Sequence, residues 1–574
     1  MRKDKVRGIT EFILPTSAKD MELVFYNKKN LTEEKRVMMT KVPGENLAHL
    51  ELPVKEAKRY AYHYQCGDKA FADEKAQCFV KSSGFGETSS VPCKLATVTE
   101  HSFDWGESVR PGLPYEEMVV YLAHLRGFTM HTSSKVRGRG TFYGMMQKIP
   151  YLKELGITTV ELQPIYEYDE LDKKGKVNYW GYQQGYYYAP KAAYSYKADA
   201  VLECKEMIKA FHEQGMEVIL QFYFPNEVSR LEILNILQYW SYYYQVDGFH
   251  LMGENIPVEE LAKDVYLSSR KLWYYDFPVE VLYAGKDLPE KRTLAAYQDS
   301  YMYDMRRLLK GDEGCIYNAV KRMTSNSSKE GTINFITNYF GFTMWDAVSY
   351  ERKHNEENGE DNKDGNDYNG TWNCGAEGTT KKKQILSLRK KQFKNAFALL
   401  MLSQGTPLFF MGDEFGNSQK GNNNPYCQDN EITWLNWNDL KRNIELYQYV
   451  KGLIDFRKNH RVFQMSKECM LMDYLSCGYP DLSFHGEEAY KPSWEYYSRQ
   501  AGLLFCGDYA GEKGTLTYLA INMHWEERSF AFPKLKKGSE IQCVFATDEV
   551  CVAGKEQVKL LPRSICVCTI KRTR

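Results

Sequence analysis

The chain has 574 residues, and its 75 Lys and Arg are balanced by 75 Asp and Glu, so the formal net charge is zero. At 43% hydrophobic and 26% charged it is globular rather than disordered or fibrous. Without a basic surplus, nucleic acid is excluded as its main partner.

Short alternating runs open the chain: Gly8 to Leu14, Met21 to Tyr26, then Tyr60 to Gly67, separated by turn residues such as Asn27-Lys28-Lys29-Asn30. This pattern predicts a small β-sandwich over residues 1–110. The rhythm changes near Pro111. Met118 to Tyr121 reads as a strand, Phe142 to Leu155 as an amphipathic helix stopped by Gly156, and Ile157 to Leu162 as the next strand. Cys204 to Gln214 (helix), Glu217 to Phe222 (strand), Leu231 to Tyr244 (helix) and Val246 to Leu251 (strand) continue the alternation. Such alternation across residues 111–467 predicts the α/β class with a parallel sheet closed into a (β/α)8 TIM barrel. From about Cys469 the short strands return, including Leu516 to Asn522 and Ser564 to Cys568, and predict a second sandwich over residues 468–574.

Several features bear on chemistry. Tyrosine is abundant, at 43 residues, and a flat apolar ring with a polar tip suits sugar recognition, although core packing takes most such rings. The 14 cysteines are scattered with no C-x-x-C pair, and Cys566 and Cys568 alternate along an apolar strand as buried thiols, so no metal and no other cofactor is expected. Met1 to Arg7 lead into no apolar segment and no run of roughly 18 apolar residues occurs, so a reduced, cytoplasmic protein without a membrane partner is expected. The loop from His354 to Gly375 is too long and polar for an ordinary connection and reads as functional or mobile. Its Glu360 to Gly365 stretch has a calcium-loop flavour, but position 12 is Thr371 rather than Glu. Lys381-Lys382-Lys383 and Arg389-Lys390-Lys391 are read as the solvated face of a helix.

Tyr121 to Thr129, Gly140 to Gly144, Val160 to Pro164 and Asn178 to Tyr182 together resemble isoamylase-type glycogen-debranching enzymes of glycoside hydrolase family 13. Two longer stretches carry the resemblance further: Gly341 to Gly375, and Ser403 to Asn430 with its Gly412-Asp413-Glu414-Phe415-Gly416 and Asn422-Asn423-Asn424. It covers most of the chain, least the first hundred residues. It implies a glycogen-binding-like sandwich, a catalytic-type barrel and a C-terminal sandwich.

A retaining glycosidase needs two carboxylates about 5–5.5 Å apart at the C-terminal ends of the strands. The family adds a third carboxylate with polar helpers. Where the resemblance implies Asp-x-x-x-Asn-His, this chain has Gln221 through Asn226. Where it implies Arg-x-Asp, with the nucleophile last, stand His250-Leu251-Met252. The acid/base strand is read as Val281 to Asp287, with Ala284 in place of the glutamate, and in a strand read from Thr332 to Phe342 Tyr339-Phe340-Gly341 replaces His-Asp-Gly. Methionine cannot attack an anomeric carbon and alanine cannot deliver a proton. Losing one nucleophile costs a hydrolase roughly a million-fold in turnover. Glu254, Asp276, Glu280 and Asp287 are the neighbouring carboxylates available to substitute.

The expectation is therefore a non-catalytic homologue that binds an α-glucan (glycogen, starch or malto-oligosaccharide) or regulates an active debranching homologue by association. Tyr182 is the candidate sugar platform, with Trp180 beside it; alternatively Tyr182 packs on Phe340 or Tyr339 with no ligand. Asp413, Glu414 and Asn422 to Asn424 are read as loop-fixing groups. Two other readings stand: an active α-1,6 debranching hydrolase using non-standard carboxylates, and a protein-interaction module without sugar binding.

Overall fold

The computed structural model describes residues 2–4, 8–18, 20–99, 102–553 and 556–571. Part of the basic start that was read for a leader (Met1, Lys5, Val6 and Arg7) lies outside the described residues. Among the described residues no helix is long and apolar enough to cross a membrane.

The first hundred residues form two antiparallel sheets. Ile9–Pro15 pairs with Leu47–Pro53 in one, and Met21–Asn27 pairs with Tyr60–Cys66 in the other. Phe12, Phe25, Tyr62 and Tyr64 are buried between them, as alternation requires of an inward face.

Eight parallel strands then close a barrel. They are β1 (Val120–Ala123), β2 (Thr159–Leu162), β3 (Glu217–Tyr223), β4 (Gly248–Met252), β5 (Lys271–Tyr274), β6 (Leu294–Tyr297), β7 (Gly331–Phe335) and β8 (Thr406–Phe410). β1 pairs with β8 and completes the ring. The crossover helices start and stop where local chemistry dictates. α1 (Ala200–Glu213) is capped by the Asp199 side chain accepting from Leu202 N, and the chain leaves it through Gly215 at φ 70°. α2 (Arg230–Tyr243) is capped in the same way by Ser229. The predicted helix from Phe142 to Leu155 is two short helices, Phe142–Met146 and Ile149–Leu155, the second with Pro150 in its first turn, where the missing N–H costs nothing.

Three expectations are corrected. Val281 to Asp287 is not a strand. Pro278 starts a helical turn there, accepting at its carbonyl from Val281 and Leu282 N, and the helix is Val279–Leu282. The barrel position between β4 and β6 belongs to Lys271–Tyr274, which pairs with both. The strand predicted from Thr332 to Phe342 ends at Phe335, and the rest is loop. Arg389 is not solvated: it is 1% exposed on α3 (Lys383–Met401), because the helical period turns it inward from its lysine neighbours. Its guanidinium donates to the carbonyls of Asn373, Ala376, Gly378 and Ser349.

After the barrel, a five-stranded antiparallel sheet containing Gln500–Cys506, Thr515–Asn522 and Ser564–Lys571 faces a three-stranded one. Cys566 and Cys568 are buried in this sandwich.

Candidate functional site at the barrel mouth

In a parallel barrel the chemistry sits at the C-terminal strand ends, where side chains from different strands converge. Here those side chains meet in direct contact. Glu161 on β2 is fully buried, and its Oε1 accepts from His250 Nδ1 on β4 at 2.6 Å and from Gln221 Nε2 on β3 at 2.6 Å. Strand register explains the meeting, since Gln221 lies directly beside His250. Gln221 Oε1 in turn accepts from the Tyr182 hydroxyl at 2.5 Å, and that hydroxyl accepts from Gln163 Nε2 at 3.2 Å. Burial holds the Tyr182 phenol far above its usual pKa, so it is a fixed donor.

Aromatic rings close the top and floor of this polar centre. Tyr339 leans over Tyr182 with ring centroids 5.0 Å apart, and its hydroxyl rests on Met252 Sδ at 3.4 Å. Trp180, 8% exposed, meets Tyr339 edge to face at 5.3 Å. Below, Tyr297 on β6 stacks on the His250 imidazole at 4.0 Å and also touches Phe335 on β7. Phe340 lies half-buried against Tyr339.

The sequence-predicted residues divide accordingly. Gln221, His250, Met252, Tyr182, Trp180, Tyr339 and Phe340 come together at the mouth. Asn226 is exposed and donates to Glu254 Oε2 at 3.1 Å on the rim. Ala284 does not belong to the site: it is exposed in the turn after the helix Val279–Leu282. The residues that follow β5 are Tyr275 and Asp276, both exposed. Of the carboxylates considered as substitutes, Glu254, Asp276 and Asp287 are exposed and Glu280 pairs with Lys329, so none joins the buried centre. Sequence reasoning missed Tyr275, Tyr297 and the central role of Glu161. The aromatic run Trp273-Tyr274-Tyr275 after Lys271-Leu272 was the available signal for β5.

Around the mouth the long polar loop is tied down by amides. Asn355 Nδ2 donates to Asn423 Oδ1 at 2.9 Å and to the Asp364 carbonyl at 2.8 Å, and Asn358 exchanges hydrogen bonds with Asn422. Asp413, fully buried, accepts from Met344 N, Phe410 N and the Thr337 hydroxyl. Glu414 accepts from the Tyr121 and Tyr151 hydroxyls. The loop-fixing expectation for these residues holds.

A closed parallel barrel between two β-sandwiches, with a polar cluster at its strand ends, is the architecture of α-amylase-type glycoside hydrolases. The α-amylase catalytic domain model matches residues 126–232. A glycogen operon protein GlgX homologue of Haemophilus influenzae is 30% identical over 548 residues, 78% of this chain and 82% of that protein. The homologue from Mycobacterium bovis is 34% identical over 439 residues, 63% of this chain and 61% of its own length, so the chain spans about three fifths of that relative. Isoamylase SU1 of Zea mays, a chloroplast protein, is 29% identical, with 78% of this chain and 68% of the maize protein covered. The fold matches a pullulanase of Paenibacillus barengoltzii solved with maltotetraose, at TM-score 0.72 and 18% identity over 98% of this chain and 94% of the other. The chain belongs to the isoamylase-type debranching branch of glycoside hydrolase family 13.

Proposed function

We propose that this chain is a non-catalytic member of that family, acting in α-glucan metabolism by binding glucan rather than cleaving it. The reading rests on one observation: the strand ends that would carry the carboxylates hold Gln221, His250, Met252, Tyr275 and Phe340. Several of these are locked with Glu161, Tyr182 and Tyr339 into one hydrogen-bonded, stacked plug. A sulfur and a phenol ring supply neither a nucleophile nor an acid of suitable pKa for a glycosidic bond. With Tyr339 leaning over the Tyr182 ring, this reading assigns glucan contact to the rim, where the exposed Tyr275 and the half-buried Tyr182 ring lie. Malto-oligosaccharide in the solved pullulanase supports the ligand class. A regulatory association with an active debranching homologue, in the cytoplasm, is the natural cellular counterpart.

Two measurements test this. Purified protein incubated with glycogen, amylopectin or pullulan releases no reducing ends above buffer; release at an ordinary enzymatic rate sinks the reading. In a native gel containing glycogen the protein is retarded, and Tyr182→Ala changes the retardation. Migration identical to that in a glycogen-free gel favours a sugar-independent interaction module instead.

A further inference from the structure

The loop between the barrel and the C-terminal sandwich is unusual for what it exposes. Met470, Leu471, Met472, Tyr474 and Leu475 are each at least half exposed, so apolar burial does not hold this segment in place. It returns to the sandwich at Cys477. The Cys477 Sγ lies 3.6 Å from the Sγ of Cys506, which ends the strand Gln500–Cys506 and is 2% exposed. Cys506 Sγ lies 3.4 Å from Asp508 Oδ2, two residues on. The three ligand atoms all fall within 4.8 Å of one another.

The two measured edges match those of a metal tetrahedron. With Zn–S near 2.3 Å and Zn–O near 2.0 Å, two thiolate sulfurs on one tetrahedral zinc sit about 3.8 Å apart, and a sulfur and a carboxylate oxygen about 3.5 Å apart. The supporting contacts are also in place. Asp508 Oδ1 accepts from Gly514 N at 3.1 Å, which leaves Oδ2 turned toward the sulfur. Asp473 fixes the loop from the other side: Oδ1 accepts from Cys477 N and the Tyr509 hydroxyl, and Oδ2 from Gly478 N. Such outer contacts are what orient ligands before a metal arrives. The Tyr479 carbonyl oxygen lies 3.3 Å from Cys477 Sγ and the Tyr509 hydroxyl 3.8 Å from it, so further oxygen donors stand beside the cluster.

We propose that Cys477, Cys506 and Asp508 form a structural site for a thiophilic divalent cation, zinc foremost, that staples the exposed 470–480 loop to the C-terminal sandwich. On binding, both S–H bonds break, two metal–sulfur bonds form and two protons pass to solvent, with no change of oxidation state. Affinity therefore falls as the solution becomes more acidic. The 28 residues between the two cysteines hide the site from any short-spacing motif.

The test uses the full chain, reduced and stripped with chelator. One equivalent of Zn2+ remains bound after desalting, and Co2+ in its place gives a thiolate-to-metal charge-transfer band; in Cys477→Ser both are lost or reduced at least tenfold. Zinc also protects Cys477 and Cys506, read by peptide mass, from iodoacetamide, which keeps the test independent of how any variant folds. Zinc bound equally by Cys477→Ser, a cobalt spectrum without the thiolate band, or undiminished alkylation of both cysteines in saturating zinc overturns the proposal.

Discussion

Glu414 shows how a family-typical residue serves the scaffold. Its carboxyl is fully buried, Oε1 takes two tyrosine hydroxyls, and Oε2 has no partner. Burial is the largest influence and pushes its pKa up to about 7; the same effect pushes Asp413 up to about 7, against three donors that pull it down. A carboxyl whose pKa is higher folded than unfolded stabilises the fold fully below about pH 4, its unfolded value, and that stabilisation fades as pH rises through 7. Melting temperature is thus expected to fall between pH 5 and pH 8. Glu414→Gln keeps an acceptor for both tyrosines and cannot ionise, so its melting curve flattens over that interval. A wild-type profile flat from pH 5 to 8 contradicts this assignment.

At the scale of elements, the exit from β4 depends on one backbone geometry. Gly253 has φ 133°, and a Cβ there would lie 2.2 Å from the Phe224 carbonyl oxygen. The close approach arises because Phe224 N donates to the Met252 carbonyl and clamps the end of β3 to β4. Gly253→Ala combines a left-sided φ with a backbone overlap that no side-chain rotation relieves, and is expected to cost about 3 kcal/mol or more. Calorimetry of the barrel transition measures it; a change below about 0.5 kcal/mol rules out the clamp. The fifth strand teaches a different lesson. Val281-Leu282-Tyr283 has strand-forming residues, yet Pro278 three positions earlier starts a helical turn, and the open slot between β4 and β6 takes Lys271–Tyr274 instead. Propensity for a single segment yields to the closure of the whole ring.

At the scale of the whole molecule, side chains from β2, β3, β4 and β6 meet at the centre of the barrel mouth. On the proposed non-catalytic reading, introducing one carboxylate does not by itself produce hydrolysis. Met252→Asp sets a charge under Tyr339 while the Glu161 carboxylate stays tied to His250 and Gln221, so reducing-end release from pullulan is expected to stay at background. Activity from this single change would mean that another carboxylate already serves as acid, and would revive the hydrolase reading. The amide-rich lattice of Asn355, Asn358 and Asn422 to Asn424 holds the rim loop in a defined position, which accounts for such a long polar connection in a compact fold.

The strand and helix rhythm was legible because hydrophobic periodicity reports local burial, and β3, β4, α1 and α2 appear within a few residues of their expected places. Motif-level likeness was legible as well, since runs such as Gly341 to Asp346 and Gly412 to Gly416 survive intact. Which side chains the ends of β3 and β4 carry could be read directly, as Gln221, His250 and Met252. What the sequence left open was everything that depends on convergence from distant segments. Glu161, Gln221, His250 and Tyr182 meet only because three parallel strands and a loop close on one point. Cys477 and Cys506 meet only because a loop folds back onto a strand end. By itself the sequence determined the architecture and which side chains are available to the site. Tertiary structure decided which distant residues touch, because hydrogen bonds and ring contacts depend on distance in space rather than along the chain.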